Sequence, residues 1–160
     1  QWSLDYIRKY WGEQMRSPLF NGSWHEAWDI ANWPNEIATS SHAWCSGPTA
    51  LLPQKVLGVE PVSEGWKTFS VKPNPCDLKW AKGIVPTAYG AISIDWKIDD
   101  KGTFSLYVSV PEKTTAEIAV PATDSKNVSV NGKAVSNFRS ENGKVIFQAV
   151  PGEYEIKSIK

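Results

Sequence analysis

The sequence predicts a mainly β protein, an antiparallel β-sandwich preceded by a partial helical segment. Three observations carry that prediction. After residue 66 apolar residues recur with a period of two, as in strands with one buried face. Turn dipeptides punctuate those runs at the short, regular intervals of sandwich hairpins. Before Gly58 the chain is different: its apolar residues recur at helical spacing, and six of its nine tryptophans, Trp2, Trp11, Trp24, Trp28, Trp33 and Trp44, crowd that part.

Leu4, Ile7, Trp11 and Met15 line one stripe of an amphipathic helix expected over residues 3–15. A second helix is expected over 48–57, with Pro48 at its first position and Gly58 as its cap. Pro53 lies inside it and removes a backbone hydrogen bond, so this element is short, bent or half helical. Between the two, residues 17–47 hold Pro18, Asn21, Gly22, Pro34, Asn35 and Gly47, the chemistry of a long aromatic-rich connection.

The alternating sets Ile92/Ile94/Trp96/Ile98, Phe104/Leu106/Val108/Val110 and Ala116/Ile118/Val120 read as half-buried strands. Asp99-Asp100-Lys101-Gly102 joins the first two, Asn131-Gly132 and Asn142-Gly143 suit tight hairpins, and Pro151-Gly152 precedes a last strand. Nine strands are expected, over 66–72, 78–85, 91–98, 103–110, 115–120, 127–131, 134–139, 144–149 and 153–159. A sandwich of that length buries its own core. Residues 1–58 cannot bury theirs, because helices need a partner for their apolar stripe. The chain therefore divides into residues 1–58, the end of a larger helical domain, and residues 59–160, the sandwich.

Seventeen basic and seventeen acidic residues cancel, so the pull toward polyanions that marks nucleic-acid or membrane-surface binders is missing. No apolar run reaches the ~18 residues of a membrane span. Cys45 and Cys76 are too few for a disulfide scaffold and stand in no metal-ligand spacing with His25 or His42, so neither metal nor cofactor is expected. Whether the two are bridged is open. The sequence opens at Gln1, which suggests a processed product or a piece of a longer polypeptide, and where the protein resides is not read from it.

Gly22-Ser23-Trp24-His25-Glu26-Ala27-Trp28-Asp29 sets a carboxylate, an imidazole and a second carboxylate among indoles. Indole faces stack on sugar rings, and apolar walls can raise a glutamate pKa toward neutral pH. Residue types alone favour a plainer reading, in which Trp24 and Trp28 anchor a helical turn and Glu26 faces solvent. Ser40 to Pro48 adds His42 beside hydroxyls and Cys45, where a satisfied histidine is the commoner outcome and nothing marks a reactive thiolate.

The runs Leu4 to Gly12, Trp24 to Asp29, Ser41 to Thr49 and Val56 to Val59 resemble, in order and spacing, the end of the catalytic barrel of the bacterial α-L-rhamnosidases. Gly65-Trp66 to Pro73, Leu78 to Gly83 and Val85-Pro86-Thr87 resemble the start of that family's C-terminal β-sandwich. The resemblance implies an inverting glycoside hydrolase on an (α/α)6 barrel that cleaves terminal α-linked L-rhamnose. It implies Glu26 as general base, His42 as a sugar contact, and Trp24 and Trp28 as pocket walls or supports. The general acid and most sugar-binding residues would then lie upstream of Gln1, and this chain alone would be catalytically silent. The missing barrel and rhamnosides are the implied partners, with no nucleic acid and no membrane. A second reading makes the chain a free-standing carbohydrate-binding or structural sandwich, with Tyr89, Trp96 and Tyr107 as candidate platform residues; Trp96, in phase with Ile92 and Ile94, reads as core.

Overall fold

The computed structural model describes residues 1–28 and 39–159, and the chain divides into two compact units, Gln1–Leu51 and Leu52–Lys160. Trp33, Pro34 and Asn35 of the expected connection lie outside the described residues.

In the first unit, α1 (Trp2–Arg16) forms over the predicted stripe, with Asp5 in its first turn and Arg16 in its last to suit the helix dipole. Its stripe is only partly covered. Met15 is 59% exposed and Trp2 75%, and the one buried residue of the helix is polar, Gln14. A 3-10 turn (Ala43–Ser46) leads into α2 (Gly47–Leu51), and the second unit opens with a π-helical turn over Leu52–Leu57. Pro53 sits in that widened turn, where a missing donor and a ring that crowds the preceding turn are best accommodated. Gly58 follows with φ 83, as a helix cap requires.

The second unit is the sandwich. Its strands are β1 (Val59–Pro61), β2 (Thr68–Val71), β3 (Trp80–Thr87), β4 (Gly90–Ile98), β5 (Phe104–Val110), β6 (Thr115–Pro121), β7 (Val128–Val130), β8 (Lys133–Ala134), β9 (Phe138–Glu141), β10 (Lys144–Ala149) and β11 (Gly152–Ser158). One sheet runs β1-β2-β6-β10-β9 and the other β3-β4-β5-β11-β7-β8. All pairs are antiparallel save β2 with β6, which lie side by side in parallel. No hairpin ties those two together, because β3, β4 and β5 intervene in the other sheet, so their direction is set by packing rather than by a turn.

The expected strand over 134–139 is instead two short ones, β8 and β9, separated by a turn in which Asn137 has φ 54. Asparagine tolerates that conformation and breaks the run. The predicted hairpins form at Asn131-Gly132 and Asn142-Gly143, where all four residues have positive φ. In the β4–β5 turn Asp99 Oδ1 accepts from the Lys101 and Thr103 amides at 2.9 and 2.8 Å.

Strict alternation along β5, where Phe104, Leu106, Val108 and Val110 are buried and Ser105, Tyr107 and Ser109 are not, sets one face of the six-stranded sheet on the core. Ile92, Ile94 and Trp96 of β4 and Ile156 of β11 share that face. Phe69, Val71, Ala116, Ile118, Val120, Val145 and Phe147 answer from the other sheet. Trp96 is fully buried, stacks with Phe104 at 6.0 Å, and donates its indole N–H to the Val56 carbonyl at 3.1 Å. That bond fastens the π-helical turn to the sandwich, whose core extends over it through Val56 and Leu57.

Candidate functional site

The candidate site lies in the first unit, and α1 builds it. Gln14, buried, uses both ends of its amide on the segment after the helix: Oε1 accepts from the His25 amide at 3.3 Å, and Nε2 donates to the Ala27 carbonyl at 3.1 Å. One turn earlier the Trp11 indole donates to the Cys45 carbonyl at 2.6 Å. The two side chains bring residues 24–28 and 42–45 to one helix face. A backbone clamp then joins the segments, with the Glu26 amide donating to Thr39 O at 3.0 Å and the His42 amide to Trp24 O at 2.9 Å.

That clamp brings Glu26, Thr39 and His42 together. The Thr39 amide and hydroxyl both reach Glu26 Oε2, at 2.9 and 3.2 Å. The same hydroxyl lies 2.9 Å from His42 Nδ1, which is itself 3.5 Å from Glu26 Oε2. Glu26 is 26% exposed and His42 34%, so both are open to a ligand.

The electrostatics correct one sequence expectation. Indole surroundings were expected to be able to raise the Glu26 pKa; in the structure it is lowered. The Thr39 backbone N–H dominates, the desolvation that works against it is smaller, and His42 and the Thr39 hydroxyl add to the lowering. Glu26 is therefore a carboxylate at neutral pH, in the form that takes a proton.

Residues 24–28 are irregular, with a bend over 26–28, rather than the helical turn of the plainer reading. Trp24 is half-buried against Phe20, with ring centres 5.8 Å apart. Trp28 sets its edge on Trp11 at 4.6 Å and packs on Tyr10 at 5.2 Å. These contacts suit supports of the segment that carries Glu26. The ring against His42 is Trp44, at 4.7 Å and 72% exposed. Asp29, the second carboxylate of the motif, lies outside the described residues.

Cys45 donates its thiol to the Glu26 carbonyl at 3.4 Å, and burial together with the Glu26 charge pushes its pKa up. It stays a neutral thiol, unsuited to nucleophilic attack. Neither Cys45 nor Cys76 is in a disulfide. Among the described residues no group of three or more His, Cys, Asp or Glu could hold a metal ion, and no helix is long and apolar enough to cross a membrane.

Two residues of the cluster carry no signal strong enough to single them out in the sequence. Thr39 is one threonine in a loop, joined to Glu26 by backbone pairing. Trp44 stood in the motif around His42, and only its exposure and ring contact distinguish it from the other indoles.

Fold and cluster together define a class: a two-sheet β-sandwich that follows a small helical unit bearing a carboxylate, a hydroxyl and an imidazole. Residues 58–135 match the family model of the bacterial α-L-rhamnosidase C-terminal domain. An α-L-rhamnosidase of Formosa agariphila is 33% identical over 112 residues, which are 66% of this chain and 12% of that protein. The crystal structure of Streptomyces avermitilis α-L-rhamnosidase complexed with L-rhamnose superposes with a TM-score of 0.72 at 25% identity, over 86% of this chain and 14% of that one. The Aspergillus terreus α-L-rhamnosidase structure, at 22% identity and a TM-score of 0.66, covers 85% of this chain and 14% of its own and shares the fold. Residues 58–135 thus resemble the C-terminal domain of the bacterial α-L-rhamnosidases, and most of the chain is similar in fold to the C-terminal part of such an enzyme. It spans 12% and 13% of the length of the two Formosa agariphila relatives it matches.

Proposed function

We propose that this chain is the C-terminal part of an inverting α-L-rhamnosidase, with residues 1–58 closing an (α/α)6 catalytic barrel and residues 59–160 forming the sandwich that follows it. The observation that carries the reading is the Glu26–Thr39–His42 cluster, in which a carboxylate is held ionised beside an imidazole. The likeness to an enzyme crystallised with L-rhamnose supports the substrate class. In this reading Glu26 is the general base and His42 contacts the sugar, while Trp24 and Trp28 brace or wall the pocket.

Inversion needs a second carboxyl group, protonated, on the opposite face of the sugar, ~6.5–9.5 Å from the base so that a water molecule fits between them. Glu26 takes a proton from that water as it attacks the anomeric carbon, and the acid protonates the departing oxygen. Glu26 is kept anionic by Thr39, so it suits the first role and not the second. The acid belongs, on this reading, to the barrel of the parent polypeptide, and the 160-residue chain is catalytically silent by itself.

The test uses an aryl α-L-rhamnoside and two proteins. The parent polypeptide should release the aryl alcohol, and Glu26→Gln in it should lower kcat by on the order of 10²- to 10⁴-fold, the usual worth of general base catalysis. The 160-residue chain should give no turnover. Turnover by that chain, abolished by Glu26→Ala, would overturn its silence, and a fully active Glu26→Gln parent would remove Glu26 as base.

A further inference from the structure

Three polar atoms of the cluster form a triangle: Thr39 Oγ1 to His42 Nδ1 is 2.9 Å, Thr39 Oγ1 to Glu26 Oε2 is 3.2 Å, and His42 Nδ1 to Glu26 Oε2 is 3.5 Å. The hydroxyl has one proton to give. Sent to Nδ1, it would leave two oxygens facing each other at 3.2 Å without a hydrogen between them, and a nitrogen lone pair turned toward a carboxylate. Sent to Oε2, it makes a charge-assisted bond, the stronger of the two choices. Thr39 Oγ1 is then free to accept, and His42 Nδ1 must carry a hydrogen to donate to it. Only this arrangement places a proton on each short edge.

We infer that Thr39 is a positioning residue: its hydroxyl fixes the Glu26 carboxylate and selects the His42 tautomer with its proton on Nδ1, which leaves Nε2 as a hydrogen-bond acceptor. The inference deepens the proposed role of this cluster and takes from it the assumption that His42 faces the ligand. The ligand group that Nε2 takes is then a hydroxyl acting as donor, as a sugar offers, and not a carbonyl or carboxylate. The His42 amide on Trp24 O fixes its backbone, and the Trp44 ring at 4.7 Å packs against the imidazole.

The experiment is a long-range proton–nitrogen NMR spectrum of the full 160-residue chain at alkaline pH, where imidazoles are neutral, with His42 assigned by the signals lost in His42→Gln. It reads the protonated nitrogen directly and needs no enzymatic activity, so it separates this inference from the rhamnosidase reading. His42 should appear protonated at Nδ1 and bare at Nε2. Thr39→Val keeps the backbone N–H and loses the hydroxyl, so part of the Nδ1-protonated population should pass to Nε2, with the Glu26 carboxylate 3.5 Å from Nδ1 holding the rest, and Thr39→Ser should restore it to Nδ1. An Nε2-protonated His42 in the unaltered chain would overturn the inference. So would a Thr39→Val chain whose His42 spectrum is unchanged.

Discussion

Glu117 shows at single-residue scale how charges outside the site stabilise the fold. On the outer face of the five-stranded sheet its two oxygens take Lys72 Nζ at 2.7 Å and Arg139 Nη2 at 2.9 Å, with Gln148 Nε2 at 3.3 Å. Lys72 is the largest cause of a lowered Glu117 pKa, outweighing desolvation, and Arg139 adds to it. A carboxyl group lowered in the folded state contributes stability in full above its unfolded value near ~4.3, and loses it as pH falls through the lower folded value. Glu117→Gln should therefore cost no more than about 1 kcal/mol at neutral pH, and its deficit should shrink toward zero in strong acid. Urea midpoints of the two proteins at pH 7 and pH 3 check this; a deficit that grows on acidification contradicts it. None of these partners is near Glu117 in sequence, and the same limit governs the candidate site. Glu26 and His42 were legible as parts of two motifs. Their bridge, Thr39, was not, because it contacts Glu26 across thirteen residues through backbone pairing that no periodicity encodes.

At the scale of elements, alternation made the long strands plain, because β4, β5 and β6 each bury one face and leave most of the other half-buried or exposed. Short elements carry too few residues for a period to show. β1 has three residues and was not distinguishable from a loop, and β8, with two, was read as one strand with β9. Gly58 shows a different gap. Its place after the helix marks it as a cap, which it is, yet a Cβ there would also stand 2.2 Å from Lys72 C and 2.4 Å from Lys72 O. The close approach joins the end of the π-helical turn to the segment just past β2, where the Lys72 amide donates to Gly58 O at 2.8 Å. Gly58→Ala should therefore cost more than the ~1–3 kcal/mol of the strained backbone angle alone, since backbone cannot swing aside as a side chain can. Gly65→Ala is the control, with a similar φ of 69 and open space around it. Chemical denaturation should show a clearly larger loss at Gly58; equal losses would mean that only the backbone angle matters there.

For the molecule as a whole, the distribution of buried apolar surface makes a prediction about where stability resides. Apart from Pro48, every buried apolar side chain among the described residues, from Val56 to Ile156, belongs to the second unit. In the first unit the deeply buried residues are Gln14, His25 and Pro48, while Trp2, Met15, Leu19 and Trp44 stand open to solvent. A fifteen-residue helix such as α1 is marginal in water unless its apolar face is covered. The amides of α1 should thus exchange with deuterium through local openings of low free energy, whereas those of β4, β5, β6 and β10 should wait for global unfolding. If residues 1–58 close a barrel in the parent, the same α1 amides should exchange there at rates closer to the strands, because upstream helices cover Leu4, Ile7, Trp11 and Met15. Hydrogen exchange read by mass spectrometry on both proteins measures the difference. Equal α1 protection in the 160-residue chain and in the parent would mean that this stripe has no partner in the longer polypeptide, and residues 1–58 would then have to be a free-standing helical lead rather than a barrel edge.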